Sequence, residues 1–294
     1  MTVDVRQRMG GRDVKRYLAI GLAIVVVTSL GCASARYVTP GRAADMSLFT
    51  GDARDRLTDA GIRQVLNRPL LARFPTTLAV ARVQDAGYVS FRVDGWGSGR
   101  YSVVTTRDVE SDADLERLGQ LEGLTSAARI GRLLLPRHLR SDLDLRAAAA
   151  SLGSDLLLVY TFDTNFHTED GFTPLTVVSL GLFPTKTARV STTASAILLD
   201  TRSGHVFSAW EATEDTKQLA NAWTSSSAVD QSRRRVESRA WEGLLDEVER
   251  GWAGVVRAVS SAPVPSSMPD TTASWTPWRS APLPPGPSYQ SGSP

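Results

Sequence analysis

The chain has 294 residues, a net charge of +2 and a single cysteine. Residues 1–31 carry five basic and two acidic side chains, so the remainder has 28 basic and 29 acidic residues and a net charge of −1. That balance argues against a nucleic-acid-binding protein, which needs a basic surface, and one cysteine excludes an internal disulfide framework.

The first 31 residues have the pattern of an export signal. Basic residues precede an unbroken apolar run at 17–27, which is shorter than the roughly 20 residues needed to span a bilayer. The run is followed by Gly31 and Cys32, which resemble the lipobox of bacterial lipoproteins, where the cysteine is acylated and becomes the new N-terminus. We predict a signal peptide over 1–31 and palmitate-type lipidation of Cys32; a permanent transmembrane helix is the alternative.

The residues after the cysteine bear on the location of the protein. Ala33 and Ser34 follow Cys32 without an aspartate, which resembles lipoproteins that Gram-negative cells send to the outer membrane. The expected location is therefore a bacterial membrane, specifically the outer membrane facing the periplasm. Residues 32–50 are polar and small and are interpreted as a tether.

The first half of residues 51–260 alternates between helical and strand patterns. Helices are predicted at 51–67 and 112–124 from the spacing of their apolar residues. A surface loop is predicted at the glycine-rich residues 95–99. Strands are predicted at 76–83, 88–93 and 101–105.

The second half continues the alternation. Four successive alanines favour a helix at 143–152, which Gly153 ends, and an apolar strand follows at 155–162. Alternating residues at 187–200 and 205–213, joined by a turn, predict a β-hairpin.

An apolar segment punctuated by glycine and proline lies between these strands, at 165–186. An exposed apolar loop of this kind marks an interaction surface, and the alternative is that it folds back over the sheet edge. The candidate interaction residues are Leu175, Val177, Val178, Leu180, Leu182 and Phe183.

The C-terminal part predicts one long amphipathic helix and a disordered tail. Apolar residues recur at three- and four-residue steps from Val236 to Val259. The charged residues of this helix, including Arg233 and Glu237, are predicted to lie mostly on its solvent face. Residues 261–294 are rich in proline and serine and bury too little apolar surface to fold.

No combination of residues indicates catalysis. The three histidines, His138, His167 and His205, have no partners at metal-ligand spacing, and one cysteine cannot form a thiolate site. We therefore predict no catalytic residues, no metal, no cofactor and no enzymatic activity.

The order of elements behind a lipobox resembles a known group of envelope proteins. The residues that carry the likeness are the helix and strand at 147–160 and the hairpin turn at 198–204. They resemble the small α/β domain of TolB N-terminal domains, the penicillin-binding-protein activator LpoB and the curli secretion lipoprotein CsgG. Over 69–259 the chain is also similar to uncharacterised rhombotarget lipoproteins, through 157–161 and 219–225.

The resemblance and the residue patterns together set the expected fold and function. We predict a single α/β (α+β) domain at 51–260, a two-layer sandwich of a mixed sheet with helices mainly on one face. The expected function is a lipid-anchored envelope protein that binds or assembles another protein, with no nucleic-acid partner. A CsgG-type oligomeric secretion channel and an envelope hydrolase are the alternatives, and the sequence leaves the oligomeric state open.

Overall fold

A computed structural model describes residues 42–50, 58–170, 186–219 and 226–261. The helices are α1 (Asp59–Leu66), α2 (Asp112–Gly119), α3 (Asp142–Ser151) and α4 (Ser226–Ser261), and short 3₁₀ helices span Met46–Thr50 and Arg132–Leu134. The strands are β1 (Thr76–Asp85), β2 (Ser98–Gly99), β3 (Tyr101–Val104), β4 (Leu124–Arg129), β5 (His138–Leu139), β6 (Leu156–Asp170), β7 (Lys186–Asp200) and β8 (Val206–Leu219).

Six strands form the main sheet. Its order is β3-β1-β6-β7-β8, and β4 pairs with β1 along the edge that β3 also uses. The pairs of β1 with β4 and β6 are parallel, whereas β3, β7 and β8 join antiparallel neighbours. The predicted fold class, a mixed sheet with packed helices and a long C-terminal helix, is confirmed.

The predicted hairpin corresponds to β7 and β8, joined at 201–204. The preceding strand β6 is longer than predicted, because it continues past 162 and pairs with β7 as far as Asp170 opposite Lys186. Residues 165–170 were predicted to lie in the apolar loop, but they continue β6 and pair with β7. The loop itself falls within 171–185, outside the described residues.

Helices α2 and α4 cover one face of the sheet. Tyr160 of β6, Ala196 of β7 and Trp210 of β8 contribute to the core under α4. The stripe predicted on this helix is buried throughout: Val236, Ala240, Leu244, Val248, Trp252, Val255 and Val259.

The opposite face is covered over β1 and β6 by α3 and by the chain that precedes α1. Leu145 and Ala148 of α3 pack against this face together with Phe49, which is fully buried. The backbone N–H of Ala44 also donates a 3.0 Å hydrogen bond to Thr161 Oγ1 of β6. The last residues of the predicted tether, 42–49, therefore pack against the domain.

Three local predictions are corrected. No strand was predicted at 124–129. Strand β4 lacks a clear strand pattern and forms there because β1 offers it an edge. Residues 88–93 form a turn with one isolated bridge, Val89 to Asp94, because Gly95 N–H bonds back to Tyr88 C=O at 2.8 Å. The predicted surface loop at 95–99 contains β2, where Gly99 lies against the backbone of Leu139.

Asp200 fixes the end of β7. Its fully buried carboxylate accepts hydrogen bonds from the N–H groups of Leu71, Ala72, Arg202 and Ser203, at 2.6–3.0 Å. We expect Asp200→Ala to lower the free energy of unfolding by about 3 kcal/mol or more, because it leaves buried donors without acceptors. Urea unfolding measures this loss. The exposed Asp163→Ala is the control, and an equal effect in both variants would contradict the role given to Asp200.

Candidate functional site

The residues predicted to carry function are only partly described by the structure. Gly31 and Cys32 lie outside the described residues, and so do the six apolar residues of the predicted interaction loop: Leu175, Val177, Val178, Leu180, Leu182 and Phe183. The predicted disordered tail also lies outside them, apart from Ser261, which ends α4. None of the described helices has the length and apolar character needed to cross a membrane.

The histidines are not brought together. His167 lies on β6, His205 follows the β7–β8 turn, and His138 is exposed on β5 with its Nδ1 2.9 Å from Ser98 Oγ. Within the described ranges, no group of three or more His, Cys, Asp or Glu side chains is placed to hold a metal ion.

A buried group of charged side chains connects α4 to the sheet, and we call it the ionic cluster. Its members come from β1, from the segment between β3 and α2, and from α4, and their side chains are only 1–5% exposed. They are Arg82, Asp108, Glu110, Asp230, Arg233 and Glu237.

Two carboxylates bridge the two buried arginines. Asp108 accepts hydrogen bonds from Arg82 Nη1 and Arg233 Nη2, each at 2.8 Å. Glu237 Oε2 accepts from Arg82 Nη2 at 3.2 Å and from Arg233 Nη1. Arg233 Nη2 also donates to Asp230 Oδ1 at 2.9 Å. The cluster is thus a closed ring of charge-assisted hydrogen bonds, the stronger class of hydrogen bond.

Neutral side chains complete the cluster. Tyr160 donates a 2.6 Å hydrogen bond to Glu110 Oε1, and Thr164 donates to Glu237 Oε1 at 3.0 Å. The guanidinium of Arg82 lies 4.6 Å from the ring centre of Phe162, within cation–π range. Both oxygens of Glu237 accept hydrogen bonds, which is the arrangement of an ionised carboxylate.

Three further arginines offset the excess of acidic groups. Arg129 Nη1 lies 3.4 Å from Glu110 Oε2, and both Arg92 Nε and Arg234 Nε lie within 3.7 Å of Asp230 Oδ2. These arginines are more exposed than the ionic cluster. They provide positive charge between its carboxylates and solvent.

The two bridging carboxylates have opposite pKa shifts. Burial raises the pKa of Asp108, but Arg82 and Arg233 outweigh burial and hold that pKa below its ordinary value. Burial also raises the pKa of Glu237, and there the same arginines offset the rise only in part. Hydrogen bonds from both arginines lower the pKa of Asp108 further, whereas the nearby charge of Asp108 adds to the rise in the pKa of Glu237.

The space beside the ionic cluster is small. A cavity of about 20 Å³ is lined by Arg82, Arg129 and Tyr160 among others. The Nε atoms of Arg82 and Arg129 are buried without a hydrogen-bond partner. This volume suits a single water molecule, which these N–H groups would bind. The cavity is too small for an organic substrate.

An exposed turn lies above the ionic cluster, at residues 88–95. Ser90 and Val93 are joined by three hydrogen bonds of 2.8–3.0 Å, which fix the shape of the turn. Tyr88 and Val93 are buried beneath it, whereas Val89 is 47% and Phe91 56% exposed. The turn therefore presents two apolar side chains on a rigid backbone.

The ionic cluster holds this turn in place. Arg82 Nη2 donates to Tyr88 Oη at 3.3 Å, and Arg92 Nε lies 3.7 Å from Asp230 Oδ2 near the start of α4. Helix α4 runs antiparallel to β8, since Arg239 bonds Thr216 and Gly251 contacts Trp210. The turn consequently lies in the half of the molecule from which β6 and β7 extend towards the predicted interaction loop.

The ionic cluster was not found from the sequence, which placed Arg233 and Glu237 mostly in solvent. A signal was available, because both continue the buried stripe through Ala240 and Leu244 at steps of four and three residues. An Arg and a Glu four residues apart on an apolar stripe indicate a buried ion pair. No local pattern identifies Arg82 as a further partner.

Comparisons with known proteins give no family. No protein-family model matches the chain. No curated protein matches it either. A solved structure of a hypothetical protein from Chlamydia trachomatis is 12% identical, covers 64% of this chain and 97% of its own, and has a TM-score of 0.23.

Proposed function

We propose that this protein is a non-enzymatic lipoprotein of the bacterial envelope that binds another protein. The observation that carries the proposal is the rigid turn at 88–95, which presents Phe91 and Val89 to solvent. Aromatic side chains at protein interfaces contribute much of the binding free energy. A turn fixed before binding also loses less conformational entropy.

The anchoring part of the proposal rests on the pattern around Cys32. Basic residues, a short apolar run and the Gly31–Cys32 pair precede the domain. The described chain begins at Arg42, ten residues after Cys32, and ten residues span about 35 Å at most. Acyl chains on Cys32 would therefore keep the domain close to the membrane, which we propose is the outer membrane.

Photo-crosslinking in cells tests the binding surface. A photoreactive residue placed at Phe91 is expected to form a discrete adduct with one envelope protein. The matched control is Leu143 on α3, which is 60% exposed. It lies at the other end of the sheet, since Arg146 of the same helix bonds the carbonyls of Thr201 and Arg202. Equal adducts from both positions, or none, would contradict the proposal.

Protein extracted from the membrane and purified is used to test the anchor. Intact-mass measurement is expected to show a chain that begins at Cys32 and carries acyl groups, and Cys32→Ala is expected to keep its leader. A wild-type chain that retains residues 1–31 unmodified would remove the lipoprotein part of the proposal. It would leave the crosslinking result at Phe91 standing.

The long hairpin of β6 and β7 favours one second candidate, an oligomeric secretion-channel component. The two strands pair over 15 positions and β8 pairs along β7 from Thr187 to Leu199, so the three form a long antiparallel sheet that could contact another subunit. For such a channel component we expect oligomers in detergent that resist heating, and finding only monomers would exclude this function.

A further inference from the structure

An open groove of about 570 Å³ runs between α2 and β4, on a surface separate from the 88–95 turn. We call it the α2–β4 groove. Its volume falls within the roughly 300–1,000 Å³ of typical ligand pockets. Its lining includes Leu115, Glu116 and Gly119 of α2 and Thr125, Ser126 and Ala127 of β4.

One side of the groove is a free strand edge. Among the strands that the structure describes, β4 pairs only with β1. Ile130 N–H donates to Val80 C=O at 3.0 Å, so the parallel ladder directs the N–H of Ala128 towards β1 and that of Ala127 to the outer edge. An edge with unpaired backbone groups is a template for another strand.

Helix α4 passes the start of β4. Trp252 Nε1 donates a 2.9 Å hydrogen bond to the C=O of Glu122, two residues before β4 begins. Helix α4 runs on to Ser261, nine residues further, a distance of about 14 Å along its axis. The described chain therefore ends at Ser261, about 14 Å along α4 from the contact with the residues that precede β4.

One run in this C-terminal segment has the composition of a strand. Residues 270–276 contain no proline and include three threonines and a tryptophan, residues that favour strands. Proline occurs three times in 262–269 and again at 277, so the run is bounded on both sides. The eight residues 262–269 span about 25 Å when extended, enough to return from Ser261 to β4.

We propose that residues 270–276 bind in the α2–β4 groove and pair with the outer edge of β4. They would add a seventh strand to the main sheet. The chain enters at the N-terminal end of β4, so the added strand runs parallel to it. This pairing satisfies the outer backbone groups of Ala127 and closes an edge that otherwise invites association with other chains. The inference is independent of the proposed function.

Residue-resolved hydrogen exchange on the full mature chain tests this pairing. Neighbouring residues in a strand direct their N–H groups to opposite edges. Ala273→Pro and Ser274→Pro are therefore combined, so that one of the two prolines removes an N–H group bonded to β4 whichever residue faces it. The matched control, Ser280→Pro with Ala281→Pro, changes the same residue types outside the run.

The expected result is an increase of about tenfold or more in exchange at the Ala127 amide in the first double variant only. The Ala128 amide faces β1 and should be unchanged in every protein. Equal exchange at Ala127 in the wild type and both variants would overturn the proposal. Protection of Ala127 that appears only when another envelope protein is added would also overturn it and assign the groove to a partner's strand.

Discussion

Replacing Arg233 by alanine is expected to lower the free energy of unfolding by about 3–5 kcal/mol. Arg233 donates hydrogen bonds to Asp108, Asp230 and Glu237, and its side chain is 1% exposed. In the alanine variant these carboxylates stay buried with too little positive charge beside them. The free-energy cost of burying unpaired carboxylates exceeds the free energy lost when a surface ion pair is removed.

The same helix provides the control for this prediction. Arg235 is exposed two positions later, and Arg235→Ala is expected to change stability by no more than about 0.5 kcal/mol. Arg233→Lys should fall between the two, because lysine keeps the charge but cannot reach three carboxylates with a planar fork. Urea unfolding followed by tryptophan fluorescence measures all three. Equal stability of the Arg233→Ala and Arg235→Ala proteins would show that the ionic cluster contributes nothing.

Asp108→Asn is expected to lower stability by about 2–4 kcal/mol at pH 7, and by less in acid. The folded pKa of Asp108 lies below its ordinary value of 3.8, because Arg82 and Arg233 outweigh burial. A carboxylate of this kind stabilises the fold above its unfolded pKa and loses that contribution as the pH falls through the folded pKa. The difference in the free energy of unfolding between wild type and variant should therefore become smaller below about pH 4.

Unfolding curves measured from pH 7 to pH 3 test this pH dependence. Glu237 has a raised pKa, so its own contribution to the free energy of unfolding increases as the pH falls. Both proteins keep Glu237, so only the part of its contribution that does not depend on Asp108 cancels in the difference between them. Glu242→Gln, an exposed change on the same helix, should show no such narrowing. A wild-type–variant difference that stays constant over this range would contradict the assigned role of Asp108.

The elements that the sequence predicted well are those whose pattern depends on local burial. The stripe of α4 repeats every three to four residues because one side of a helix faces the sheet. The β7–β8 hairpin alternates because α4 covers only one of its faces. In both cases the residues that decide the structure are close together in the chain.

The elements that were missed depend on distant partners. Strand β4 has little strand character and forms because β1 offers an edge to it. The buried position of Glu237 depends on Arg82, which is 155 residues earlier. A charged residue on a helix is usually exposed, and only the three-dimensional position of its partner decides otherwise.

That separation along the chain has a consequence for biosynthesis. Arg82 leaves the ribosome 155 residues before Glu237, a delay of about 8 to 31 seconds at ordinary rates of translation. During this interval Arg82 can pair with Asp108 and Glu110, but Glu237 and the apolar stripe of α4 are still absent, so the face of the N-terminal strands that α4 covers stays open. We expect the nascent chain to stay incompletely folded until its last helix is made.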